Sequence, residues 1–519
     1  MGRLTFCFAA LAALFSTPAI AGNGDALVDR ALEAHGGLGV IEAAGGAVLT
    51  GTGFVDLSAM QQGRHPDAEE RQPATQQVVV DLADKTTSHF YDWYNYAFSN
   101  QRLYERYDAA GRVLFADLTN GGAFWPPFRA PEGAAQSYRR YLPSLLLAEA
   151  ESSETTLIEG GPFLFDGREV EGVTFVTHHG EPMQLFFETH TGLLAGVRAR
   201  IDAELVGESV VEFAWSDYAD ENGWVKPARL TSRLGGKLLR ELALTITPGT
   251  SSAPDRLDGL EIPPVPENQI GAEEMPLPAF TEPRSREVSD GVWLFPSVRP
   301  GFHMLAVEFE DFVVAVDAPA GWYELEQIPP HQIGRAGDGE ALTRKFIRGI
   351  ESAIPGKPIR YAVMTHHHSD HIGGFRAFAE RGTTLVASVE VASAIRAAHS
   401  SDPALAEPQF VLVDGEHRIT DGSQVLRVIE LPADNPKAAG MVVNFVEPGD
   451  VLYATGFLYP VPEEAFPLEE SVVLSKWFVE WLDASGLEPQ QHFNIHGQAR
   501  VQDWQLERLR EIPNPSVSE

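Results

Sequence analysis

Three features of this 519-residue chain predict an α+β protein made of two unlike halves. The first half reads as short strands in series, separated by tight turns. Six prolines, Pro263, Pro264, Pro266, Pro276, Pro278 and Pro283, then gather in one stretch. Beyond them strands and helical segments interleave in an order that suits a four-layer sandwich.

Residues 1–21 open with Arg3, continue as an apolar run over 4–15 and end in the small-x-small triplet Ala19-Ile20-Ala21. This is the order of a secretory signal peptide, so a periplasmic or secreted protein is expected. The apolar run is too short to span a bilayer, and no later segment reads as transmembrane. Cys7, the one cysteine, lies within this run, so the mature chain is expected to have no disulfide and no thiolate ligand. Hydrophobic residues at 44% and charged residues at 22% are ordinary for a soluble globular protein. A net charge of −34 argues against a nucleic-acid partner.

Residues 22–262 are expected to form a mainly antiparallel β domain. It begins with a helix over 25–35, stopped by Gly36-Gly37. Apolar, β-prone runs at 77–82, 173–177, 183–189, 193–201, 209–215 and 228–233 predict strands. Turns at Asp166-Gly167, His179-Gly180, Thr191-Gly192 and Asn222-Gly223 separate several of them. Aromatic clusters at 90–98 and 124–128 either fill the core of the sheet or line an apolar groove. His35, His178, His179 and His190 are scattered and read as structural or surface residues. Residues 263–286 form a stiff, extended connector, and 287–519 the second domain.

In that domain, strands are expected at 291–296, 304–309 and 312–316, and a helix at 341–353 closed by Pro355-Gly356. A buried strand over 359–364 then feeds the loop Thr365-His366-His367-His368-Ser369-Asp370-His371-Ile372-Gly373-Gly374. His366 and His368, two apart on extended chain, point the same way. Asp370 and His371 follow at once, and the paired glycines let the backbone turn away. Imidazoles with one carboxylate suit Zn²⁺, or Fe or Mn. A helix over 374–381, strands over 411–413, 425–431, 441–446 and 451–455, and a helix over 502–510 complete the chain.

The segment His366-x-His368-x-Asp370-His371 resembles the signature of the metallo-β-lactamase fold hydrolases. The resemblance runs from about 288 to the C-terminus. It includes Val313-Val314-Ala315-Val316-Asp317, similar to the family's second strand, and Asn494-Ile495-His496-Gly497, similar to its late histidine. It implies an αββα sandwich with a one- or two-metal site, hydrolysing esters, amides, thioesters or phosphoesters with a metal-bound hydroxide. By the same resemblance, His366 and His368 would serve a first metal, and Asp370, His371 and His496 a second. Asp317 would accept a hydrogen bond behind the ligands rather than bind metal. In the first half, Ala34-His35-Gly36-Gly37 and the segments 188–194 and 222–227 resemble the curved-sheet domains of periplasmic lipoprotein carriers. There, such a sheet shelters an acyl chain.

Two positions depart from the family pattern. Lys437 stands where a third histidine belongs, and Gly456 where an aspartate would bridge the metals. Lys437 either fills the vacated metal position, beside Asp370, or points to solvent. Asp434 is a substitute ligand three residues displaced. His303 reads as a loop histidine before a strand that could reach the same edge. The ligand arithmetic predicts one Zn²⁺ per chain at Asp370, His371 and His496. Two readings of function follow. One is an exported hydrolase of a small ester, amide or related substrate, with Asp370 and Lys437 as catalytic residues. The other is an inactive relative that binds an apolar ligand or an envelope partner.

Overall fold

The computed structural model describes residues 24–94, 100–119, 121–125, 129, 141–158, 160–178, 180, 182–203, 205, 207–251, 254–269, 281–299, 301–320, 340–399 and 407–513. The signal-like segment 1–21 lies outside the described residues. So do 95–98 and 126–128 of the aromatic clusters, His179, and Pro276 and Pro278 of the connector.

The first half builds one fourteen-stranded sheet. Its strands Gly46–Asp56 and Lys237–Pro248 pair antiparallel, with Ala47 opposite Pro248, so both ends of the strand series meet in the middle of the sheet. Period-two alternation gives the sheet two buried faces. Val211, Phe213 and Trp215 pack with the helices Asp25–Ala34 and Pro143–Glu151, while Ala214 packs on the opposite side with Phe165 and Phe186. Of the first aromatic cluster, Phe90 and Tyr91 fall in separate core clusters, and the Arg256 guanidinium lies 3.8 Å over the Phe90 ring. His35 is buried. Its Nδ1–H donates to the Val225 carbonyl and its Nε2 accepts from Leu194 N, which ties the first helix to two later strands. Burial pushes its pKa down to about 4.

The second half is the αββα sandwich. A seven-stranded sheet runs from Arg286–Ser289 to Phe410–Val413, antiparallel at first and parallel from Val313–Val316 through Ile359–Val363 and Thr384–Ser388. A six-stranded sheet begins at Glu416–Thr420 and ends at Arg500–Val501. The strand Val442–Glu447 shows how the layers stack. Val442 and Val446 face the other sheet, in one core with Phe346 and Ile395 from the helices Ala341–Ala353 and Val389–His399. Val443 and Phe445 face the helices Val472–Ser485 and Asp503–Glu511.

Three local expectations are corrected. Residues 369–372, read as loop, form the one-turn helix Ser369–Ile372. His303 lies inside the strand Phe302–Glu308, because Arg299 and Phe302 pair to close a tight hairpin one residue ahead of it. Asp434 is exposed at the surface of its loop and is no substitute ligand. The two halves are in contact. Leu205 of the first packs in the core of the second, and its carbonyl accepts from the Arg376 guanidinium.

Candidate metal centre

Five strand ends converge on one edge of the sandwich. Val313–Val316 delivers Asp317, Ile359–Val363 the run 365–371, and Val425–Glu430 the loop bearing Lys437. Val451–Tyr453 leads to Gly456, and Gln491–Phe493 to His496. Loops beyond the carboxyl ends of strands are where a rigid sheet can hold a site.

Asp370, His371 and His496 bring one ligand atom each within 4.8 Å of one another. The His371 and His496 ring centres are 5.3 Å apart, and those of His366 and His371 4.0 Å. Tyr459 stacks on His496 at 5.1 Å and 9°, and Phe302 meets the same ring edge-on. Hydrogen bonds behind the rings select the nitrogens that face the cluster. His371 donates Nδ1–H to Asp317 Oδ2 at 3.0 Å, and its Nε2 lies 3.5 Å from Asp370 Oδ2. Asp317 is wholly buried in a left-handed conformation (φ 62°) and also accepts from Thr365 N at 2.8 Å. His366 Nδ1 lies 3.1 Å from Thr365 Oγ1, which accepts from Thr455. His366 Nε2 and His368 Nδ1 are buried with no hydrogen-bond partner among the described residues. Buried polar atoms of this kind call for a partner. Beside them Asp370, His371 and His496, one carboxylate and two imidazoles with ligand atoms within 4.8 Å of one another, fit a divalent metal.

Lys437 points inward and is 4% exposed, which removes the solvent-facing placement. A Cβ added at Gly456 would lie 2.8 Å from Lys437 Cε and 3.6 Å from Nζ. The lysine therefore occupies the space that a side chain at 456 would need. Burial pushes its pKa down to about 8, against a smaller upward pull from Asp370. Burial first, with Lys437 and neighbouring histidines adding to it, holds His366 and His368 well below 6.5, so both rings are neutral. His303 lends the cluster no lone pair. Its Nδ1 accepts from Ser297 N and its Nε2–H donates to the Gly497 carbonyl at 2.7 Å, bracing the residue after His496.

Sequence reasoning missed one set of neighbours. Gln62, Gly63 and Arg64 of the first half reach this edge. Their only local signal is the turn-forming stretch around Gly63.

A family model described as the metallo-beta-lactamase superfamily matches residues 338–489. The second half has the metallo-β-lactamase fold, and the first is a mainly antiparallel sheet. Among solved structures, the chain is similar to the metallo-β-lactamase FIM-1 of Pseudomonas aeruginosa in its mono-zinc form, at 18% identity over 44% of this chain and 93% of that one, with a TM-score of 0.32. A metallo-β-lactamase from Hirschia baltica aligns at 17% identity over 44% and 96% of the chains, with a TM-score of 0.31. One from Pontibacter korlensis aligns at 16% over 44% and 100%, with a TM-score of 0.32. No curated protein matches the chain in sequence.

Proposed function

We propose that the protein is a metal-dependent hydrolase with one divalent ion, most simply Zn²⁺, per chain. The observation that carries this reading is the trio Asp370, His371 and His496, whose ligand atoms lie within 4.8 Å of one another. Three protein ligands and one open position are what a catalytic zinc needs. A metal held there acidifies water and polarises a scissile carbonyl. The remaining work falls to the chain. Asp317 fixes the His371 tautomer, and the Tyr459 ring holds the plane of His496. Asp370 orients the attacking water and takes its proton. The Lys437 ammonium stands in for a second metal and faces the negative charge that develops on the carbonyl oxygen. Substrates are small esters, amides or related acyl compounds.

The test is elemental analysis of the purified chain. One tightly bound divalent ion per chain is expected, and hydrolysis of activated esters that a chelator stops. Two ions per chain would overturn the assignment of Lys437. No ion at all would favour an inactive relative, a reading supported by the ammonium that replaces a ligand between His366 and His368.

A further inference from the structure

The loop over residues 57–70 of the first half is built to hold its shape. Asp56 Oδ1 accepts from Ser58 N and Ala59 N, and the Glu70 carboxylate accepts from Arg64 N and His65 N at 2.7 Å each. Gly63 has no room for a side chain, since a Cβ there would lie 2.3 Å from Ser58 Oγ and 2.9 Å from Ser58 backbone atoms. The tip of this loop meets the metal cluster at four places. The Gly63 carbonyl accepts from His367 Nε2–H at 2.7 Å and from His368 Nε2–H at 3.0 Å. Gln62 Nε2 donates to Asp370 Oδ1 at 3.3 Å and to Ser369 Oγ at 3.4 Å. The Gln61 carbonyl accepts from Ser369 N at 3.3 Å. Arg64 donates to the carbonyls of Asn435 and Ala433 at 3.1 and 2.6 Å, and its own carbonyl accepts from Ala439 N at 2.8 Å, so it brackets Lys437.

A carbonyl oxygen can only accept. The proton of the neutral His368 ring must therefore sit on Nε2, which leaves the lone pair on the buried Nδ1. Nothing else hydrogen-bonded to this ring among the described residues makes that choice. Gln62 likewise holds one carboxylate oxygen of Asp370 and leaves the other toward His371.

We propose that this loop is a wall of the metal centre. In it Gly63 is the positioning residue for His368, Gln62 for Asp370 and Arg64 for the Lys437 segment, so both halves of the chain are needed to build one site. The metal part of the proposal rests on the function proposed above; the histidine geometry does not.

The experiment uses the full chain and three variants, Gln62→Met, Gly63→Ala and Arg64→Ala. Ring-nitrogen NMR of the metal-free protein reads the tautomer of His368. Chelator competition reads zinc affinity, cobalt absorption reads ligand geometry, and a melt of the metal-free protein reads the fold. We expect His368 protonated on Nε2 in the wild type and a mixed or reversed tautomer in Gly63→Ala. Zinc affinity should fall about 10- to 100-fold in Gln62→Met, whose side chain stands behind Asp370, the range seen when a group behind a metal ligand is removed, and less in Gly63→Ala, because His368 lies outside the trio proposed to hold the ion. The cobalt spectrum should change, while Gln62→Met leaves the metal-free melt in place. A purely structural loop would move the melt and spare the affinity of the folded fraction. Unchanged zinc affinity and cobalt spectra in Gln62→Met and Arg64→Ala would overturn the proposal. Should Gly63→Ala not fold, those two variants decide. Should the wild type bind no zinc, the hydrolase reading fails, and the ring-nitrogen spectra alone decide the wall. An identical His368 tautomer in wild type and Gly63→Ala then sinks it.

Discussion

The two sides of the candidate metal cluster differ in what stands at the third position of each. On one side Asp370, His371 and His496 bring their ligand atoms within 4.8 Å of one another, a group that could hold a metal ion. On the other, His366 Nε2 and His368 Nδ1 have no hydrogen-bond partner among the described residues, and the buried amine of Lys437 stands near them. The second side keeps the strand ends, the burial and the tautomer-setting hydrogen bonds of a metal site. In the proposed reading it carries a fixed charge where the family resemblance would put a ligand. A divalent ion next to an ammonium in a poorly screened interior meets strong repulsion.

The largest effect that separates the two sides is the loss of a ligand. His496→Ala should lower metal affinity by more than about 100-fold, beyond the range for groups behind the ligands, and His366→Ala by less. Zinc competition assays compare them directly. Equal losses would mean that the ion sits between the two sides, and the contrast drawn above would collapse.

Next in size is the coupling of Lys437 to Gly456. Gly456 has φ of 72°, where a side chain is strained, and its Cβ would press on Lys437 Cε. Gly456→Asp alone should destabilise by about 1–3 kcal/mol. In a Lys437→His background the clash is gone, and the cost of Gly456→Asp should fall by at least about 0.5 kcal/mol, the mark of residues in contact. Urea melts of the four proteins give the coupling. Additive effects would mean that the two positions changed independently. The double variant should also take up a second ion, which Lys437→His alone should not.

How far the sequence reveals this site depends on how local each part is. The run 365–371 is contiguous and follows a strand, so alternation along extended chain places its histidines without tertiary knowledge. Asp317 and His496 close their own strands and are legible for the same reason. The inward turn of Lys437 depends on empty space over Gly456, two strands away, which no spacing encodes. The wall formed by Gln62 and Gly63 joins residues about three hundred positions apart, partly through a backbone carbonyl, which carries no side-chain signature in the sequence. His303 shows the limit at close range. It lies beside His496, yet both its ring nitrogens are taken by backbone, a fact of hairpin geometry rather than composition. In the first half the period-two runs announce strands, but the pairing of Gly46–Asp56 with Lys237–Pro248 joins segments at opposite ends of the domain and had no local signal.

The smallest effect separates the sides through protons, in metal-free protein under chelator. His366 and His368 are held well below 6.5 and His367 at about 4, in each case by burial first. The unfolded chain takes up these protons near 6.5 and the folded one only at lower pH. Between the two the unfolded state binds more protons, so stability rises with pH across that window and is lost as pH falls through it. Lys437 gives a second window of the same sign. Its folded pKa of about 8 lies below the ordinary 10.5, so stability rises again between those values. Each group contributes at most about 1.4 kcal/mol per pH unit, and the three histidines make the acid limb the steeper one. Lys437→Met should erase the Lys437 contribution to the alkaline limb, shrink the acid limb without removing it, since burial is the larger cause there, and raise stability at neutral pH by removing a buried cation. The measurement is the urea midpoint of wild type and Lys437→Met from pH 5 to pH 10. Superimposable alkaline limbs would mean that Lys437 keeps an ordinary amine pKa. Lys437 would then be as well solvated as a surface amine, and the buried, poorly screened ammonium that sets the two sides apart would be lost.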